Sequence, residues 1–326
     1  MERPREGWNH EVGRTLIGRR QFAVALAGLA AGAAFSRGRY AWAEGPPLRV
    51  AVSLDTLAGA NVNDARAAYR VWGQEIASTL ALRHAEMLNQ VFIPSAELIQ
   101  MIRAGKVDCF ALTALEYSRI TDLVDPNCAL IEDYALNGMD YLVLVQNDSP
   151  HRSLEDLRGK NLLMLHHRDT SLLRIWLDIE LARCGAPGLD DFFGASAMRD
   201  RVNEVILPVF FGRTQAAAIT RRAFAMAAEL NPQIGRELRP VAASPRVIPD
   251  GFWFRKGCNP QDQRVFEQSM LRLDSIPAGR QVMALYQSTG FQQRPCSIMN
   301  GTLAMIRQYK SLHGRGAGAD GSSGAR

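Results

Sequence analysis

Short β-type runs alternate with helical stretches from residue 49 to residue 254, and this alternation most narrows the folds open to the chain. Residues 49–54 (RVAVSL) form a short apolar run of strand type. Asn63 and Asp64 then offer an N-cap, and Ala68, Val71, Trp72, Ile76 and Leu80 fall on one helical face. Residues 86–93 read as a second strand. Pro94 and Ser95 open a helix with Leu98, Ile99 and Ile102 inward, and Gly105 closes it. Two more strands are predicted at 107–112 and 129–134.

From Asp140 the pattern restarts. Residues 141–145 (YLVLV) are continuously apolar, as a strand covered on both faces must be. Ser153 and Asp156 have capping-box spacing. A strand is predicted over 161–165. An amphipathic helix over 170–184 follows, with Leu173, Trp176, Leu177 and Leu181 on its buried side and Gly185 as its stop. The pattern continues with a helix from about residue 198 to Gly212, a strand over 216–219, a helix over 221–230 and a closing run at 238–243. A single short strand at 252–254 precedes helices from Gln261 onward. Such a series requires parallel or mixed sheets covered by helices. The last segment is too short and too helical for a third domain, so it is expected to return to the first, leaving two lobes joined by two crossings of the chain.

The first 43 residues read differently. A basic stretch containing Arg14, Arg19 and Arg20 leads into the apolar run 22–35, and Ala41-Trp42-Ala43 matches a small-x-small cleavage site. The apolar run is shorter than the ~20 residues a membrane-spanning helix needs. The expectation is a signal peptide cleaved after Ala43, with Arg19-Arg20 pointing to the twin-arginine route. Seven Arg and three Glu lie in this leader, so it holds four of the five net positive charges of the whole chain. The remainder is nearly neutral, which gives no support to a nucleic-acid partner. All five cysteines lie beyond the leader without metal-ligand spacing. Adjacent strand residues face opposite ways, so His166 and His167 are not expected to share an ion, and neither a metal nor a cofactor is expected.

Four stretches, in order, carry a resemblance. They are LIQMIRAGKVDCFALTALEY at 98–117, the YLVLVQ strand leading to SLEDLRGK at 153–160, Asp169-Thr170-Ser171 heading a helix, and the span from Phe211-Gly212-Arg213-Thr214-Gln215-Ala216 to Pro245. Together they resemble the periplasmic binding proteins of phosphate, phosphite and phosphonate ABC transporters, over roughly residues 48–290. The resemblance implies the type 2 periplasmic binding protein fold, an α/β fold of two lobes with mixed sheets that close on ligand by hinge motion. It places the crossings near 137–141 and 244–249. The expected layout is therefore 1–43 signal peptide, 44–140 plus 245–312 lobe 1, 141–244 lobe 2, and 313–326 a disordered Gly-, Ala- and Ser-rich tail.

The sharpest expectation for a site concerns Asp169, Thr170 and Ser171. Hydroxyls and free backbone N–H groups at a helix start can hold an anion, and Arg168 with the two histidines adds positive potential. Equally, Asp169 or Thr170 can serve as a plain N-cap. Facing them from lobe 1 are expected Asp55 and Thr56 after the first strand and Thr113 to Tyr117 after the third. The resemblance implies that Tyr117 touches ligand; as a residue type it fits a core aromatic as well. Gln215 stands where the family commonly has Asp, so a charge pair to an aminophosphonate is not available there.

These features point to an exported solute-binding protein, not an enzyme, that captures a small oxyanion for an ABC transporter permease as a monomer. The alternatives are the same module signalling to a membrane kinase or cyclase, and an exported α/β enzyme. The last lacks G-x-S-x-G, H-E-x-x-H and P-loop signatures in the region after the leader.

Overall fold

The computed structural model describes residues 48–316 except 59–60, 80–84, 187 and 287. The expected leader and the expected tail beyond 316 lie outside the described residues.

The first lobe begins with β1 (Leu48–Ser53), α1 (Val62–Thr79), β2 (Ala85–Ile93), α2 (Ser95–Arg103), β3 (Cys109–Thr113), the single turn α3 (Ala114–Tyr117) and β4 (Val124–Glu132). The chain then crosses into β5 (Tyr141–Gln146), β6 (Asn161–Leu165), α4 (Leu173–Arg183), α5 (Leu189–Phe192), β7 (Ala195–Arg199), α6 (Val202–Phe210), β8 (Ala216–Thr220), α7 (Arg221–Leu230), α8 (Pro232–Glu237) and β9 (Leu238–Ala243). It returns through β10 (Asp250–Arg255), α9 (Pro260–Leu271), α10 (Pro277–Tyr286), β11 (Phe291–Arg294) and α11 (Asn300–Gly316).

Two mixed sheets result. One has the order β11-β4-β10-β3-β1-β2 and the other β7-β6-β8-β5-β9. Strand β10 runs antiparallel between β3 and β4, so a strand made after the second lobe completes the centre of the first sheet. In the second sheet β6, β7 and β8 are parallel, and β5 runs antiparallel to both its neighbours, β8 and β9. The parallel strands present their C-terminal ends, and the loops that follow, to the gap between the lobes. That edge is where ligands bind in open α/β sheets.

The two crossings pair with each other. Met139 N–H donates to Val247 O at 2.7 Å and Val247 N–H returns to Met139 O at 2.8 Å. Gly138 makes this possible: its φ is +71°, and a Cβ there would lie 2.6 Å from Arg246 Cβ. Helix α11 covers the same region. Its Thr302 hydroxyl accepts Ile248 N–H at 2.9 Å, and it reaches Gln308 toward Arg183 of α4 and Lys310 toward Ser118 of the first lobe. One hydrophobic core therefore continues from Trp253 and Tyr117 past Met299 and Ile306 to Trp176 and Leu172.

Three local expectations need correction. Asn61, not Asn63 or Asp64, caps α1, its carboxamide oxygen accepting both Asn63 N–H and Asp64 N–H. Residues 195–199, partly read as helix, form edge strand β7, and helix begins only at Val202. Helix α4 is not amphipathic: Leu173, Ile175, Trp176, Leu177, Ile179 and Leu181 are all buried, because α11 packs on the side that would otherwise meet water. Of the cysteines, all five are free thiols; Cys109, Cys128, Cys258 and Cys296 are buried, as small hydrophobes would be.

Candidate functional site between the lobes

On the first lobe, β1 and β3 end side by side and their last residues share one acid. Glu116 accepts the Ser53 hydroxyl at 2.5 Å, the Thr113 amide at 2.7 Å and the Thr113 hydroxyl at 2.9 Å. This is a capping box on α3 extended to a neighbouring strand. It fixes the loop walls from which Asp55 and Thr113 face the gap. Burial raises the Asp55 pKa above the ordinary carboxyl value and the nearby Glu116 charge adds to this, with Arg119 opposing.

On the second lobe the chain leaving β6 does not enter a helix at once. Residues Arg168–Thr170 make a 3-10 turn, and α4 starts at Leu173. That turn consumes the donors expected to meet an anion. Thr170 N–H donates to His167 O at 2.9 Å, Ser171 N–H to Arg168 O at 3.1 Å, and Asp169 N–H to the His167 ring at 3.3 Å. The Thr170 hydroxyl accepts His167 N–H at 3.0 Å and donates to Leu165 O at 2.7 Å, which makes Thr170 a cap. Ser171 is different. Its hydroxyl oxygen is buried with no hydrogen-bond partner among the described residues.

Arg168 supplies no positive potential to the helix start. Its side chain turns across the gap into the first lobe and is buried there. The guanidinium makes a two-pronged pair with Glu132, at 2.8 and 2.6 Å, and also donates to the Tyr134 hydroxyl. Asp250 at the start of β10 stands 3.6 Å away, and Asp169 is at 3.6 Å on the other side. Burial alone would discourage the guanidinium charge; Asp250 and Glu132 outweigh it and keep Arg168 charged. Burial drives the Asp250 carboxyl up to about 7 despite Arg168. Burial pushes the Asp169 carboxyl up, but the neighbouring His167 and the charge of Arg168 overcome this and hold it below the usual range.

Two spaces lie along this seam. A small void of about 20 Å³ is lined by Thr56, Glu132, Arg168 and Asp250. A larger cleft of about 310 Å³ is lined by Asp55, Ala58 and Thr113 of the first lobe and by His166, His167, Thr170, Ser171 and Arg174 of the second. The structure thus gathers Asp55, Thr113, Thr170 and Ser171 at one cleft, and Thr56 and Arg168 at the void beside it, with Asp169 in the ion cluster. Two expected residues lie elsewhere. Tyr117 is 3% exposed and stacks on Trp253 with ring centroids 4.4 Å apart, which is the core alternative. The Gln215 side chain accepts Asn161 N–H at 3.2 Å where β6 and β8 begin, at the opposite end of the sheet from the cleft. Of the remaining residues here, Glu132, Tyr134 and Asp250 carry no signature in the sequence; only Thr113-x-x-Glu116 has one, the spacing of a capping box.

Two lobes, a paired crossing and a ligand-sized cleft at the strand ends define a binding protein of the type 2 periplasmic class. Residues 62–294 match the family described as "ABC transporter, phosphonate, periplasmic substrate-binding protein", and the chain belongs to that family. No curated protein matches the sequence. Among solved structures, XAC2383 from Xanthomonas citri bound to ATP is similar at a TM-score of 0.57 and 18% identity, covering 81% of this chain and 98% of that one. A binding protein component of an ABC phosphonate transporter from Pseudomonas aeruginosa aligns at 0.52 and 14% identity, over 86% and 91%. PhnD1 from Prochlorococcus marinus in complex with methylphosphonate aligns at 0.50 and 15% identity, over 84% and 98%. At these identities the likeness establishes the fold. The family is one of binding proteins, and among the described residues no helix is long and apolar enough to cross a membrane.

Proposed function

We propose that this protein captures a small oxyanion of the phosphonate, phosphite or phosphate type in the cleft between its lobes and presents it to an ABC transporter permease. The observation that carries the ligand class is the Ser171 hydroxyl, buried without a partner two residues before α4 and lining a cleft shared with His166, His167 and Arg174. A buried hydroxyl without a partner costs free energy that an incoming acceptor oxygen recovers, and the start of an 11-residue helix favours negative charge there. Gln215 is remote from the cleft, so its departure from the family's Asp leaves this space unchanged. Export through a leader removed after Ala43, by the twin-arginine route, belongs to the same proposal.

The test is isothermal calorimetry with methylphosphonate, phosphite, phosphate and a sulfonate, on the native protein and on Ser171→Ala. At least one oxyanion should bind the native protein. The variant should lose about 10- to 100-fold in affinity, as expected for one hydrogen bond to a charged group. Heat with none of the oxyanions, or equal affinity in Ser171→Ala, would refute the assignment.

A further inference from the structure

Arg168 belongs to one lobe by sequence and to the other by contact. Its backbone sits in the turn after β6, while both prongs of its guanidinium end on Glu132, the last residue of β4. The two side chains are 6% and 5% exposed, so the pair is sealed from water. Three further contacts cross the gap, two of them at the same turn. Arg168 N–H donates to Ala58 O at 3.1 Å, the Tyr134 hydroxyl donates to Asp169 at 3.1 Å, and Arg222 of α7 lies 4.2 Å above the Tyr134 ring. All these contacts are made by the chain's own groups, and together they draw the lobes onto each other at the middle of the gap.

Charge bookkeeping explains why this seam holds. Glu132, Asp169 and Asp250 converge on a single guanidinium, with His167 alongside Asp169. Among the described residues Arg168 is the one cation these three acids share, so its loss would leave them facing each other's charge. Removing Arg168 leaves Glu132 buried with no cation beside it, and removing the Glu132 charge leaves Arg168 only the looser pairs at 3.6 Å; parting the lobes relieves either penalty by admitting water.

We propose that the Arg168–Glu132 pair is an intramolecular latch that holds the two lobes together by the protein's own charges, so that a solute entering the cleft does so against it. The proposal rests on the reading that solute binds between the lobes. It adds that closure is driven partly from within, and that the latch sets how readily the cleft opens. Arg168 is a positioning residue here; the cleft of about 310 Å³ beside it remains for the solute.

The test needs no solute. Small-angle scattering and amide hydrogen exchange are measured on the native protein, on Arg168→Met and on Glu132→Gln, the last keeping shape while removing one charge. With the latch lost, the radius of gyration should rise by about 1 Å over the ~19 Å of a compact chain of this size. Amides in residues 54–58 and 166–171 should exchange at least about tenfold faster, while those of β3 and β8 keep their native rates. Native exchange in both turns with an unchanged radius would overturn the latch. Faster exchange spread through β3 and β8 would overturn it too, by showing the pair to be general support for the fold. Neither result depends on which solute binds, so failure of oxyanion binding and failure of the latch are separately visible.

Discussion

Asp250 gives the most quantitative prediction. Its carboxyl is buried, and burial lifts it from 3.8 to about 7 against the pull of Arg168, with Glu132 and Asp169 adding to the rise. A carboxyl whose pKa is raised on folding is held protonated by the folded state. Its contribution to stability is complete below pH 3.8 and disappears as pH rises through 7. Between pH 5 and pH 8 the linkage relation gives a loss on the order of 2–3 kcal/mol from this one group. Asp250→Asn keeps the neutral shape and cannot titrate. Urea unfolding of both proteins across that range should show the native protein losing about 2–3 kcal/mol more than the variant, corresponding to a difference in Tm of about 5–10 °C. The charged groups around the site (Arg168, Glu132, Asp169) are common to both proteins, so the difference isolates the carboxyl. Parallel stability curves, agreeing within about 0.5 kcal/mol at every pH, would refute the claim that this acid is buried at the cost of its charge.

Two further outcomes follow from the site. Tyr117→Ala should destabilise the fold by about 3–5 kcal/mol through the lost stack on Trp253, while affinity for a bound oxyanion stays within about twofold; urea unfolding beside calorimetry separates the two. Asp55 faces the cleft with a raised pKa, so oxyanion affinity should strengthen as pH falls through its titration. In Asp55→Asn the part of that pH dependence not due to the ligand's own protonation should vanish, and its persistence in calorimetry at pH 5 and pH 8 would assign it elsewhere.

Much of the fold was legible because buried elements announce themselves. The YLVLV run at 141–145 and the apolar face of residues 98–102 have only one use in a β/α series, and both became the elements they suggest. The elements misread or passed over are edge strands. Residues 195–199 (ASAMR) and 291–294 (FQQR) pair on one side only and carry polar or helix-tolerant residues, so their periodicity is weak. The site divided along a similar line. Loops after strands β1, β3 and β6 could be pointed out from chain order, and Asp55, Thr113 and Ser171 do converge there. The direction of a long side chain could not be. Arg168 reads as a cation next to a helix start, and only the buried position of Glu132, 36 residues earlier, shows where its charge is used. An acid at a strand end resembles any turn residue until a partner arrives from the other lobe.

The position of β10 has a consequence for how the molecule is made. Its antiparallel pairing between β3 and β4 joins segments well over a hundred residues apart, whereas every strand of the second sheet lies within 141–243. During synthesis the second lobe has all of its strands before the first has its central one. Until residues 250–255 emerge, β3 and β4 are open edges able to pair with a neighbouring chain, and the high contact order of the closing step makes it slow. Production of this protein should therefore be most vulnerable to aggregation late in translation, and chains ending just before β10 should carry a second lobe with all its strands but an uncovered apolar face on α4, beside a sticky, half-built first.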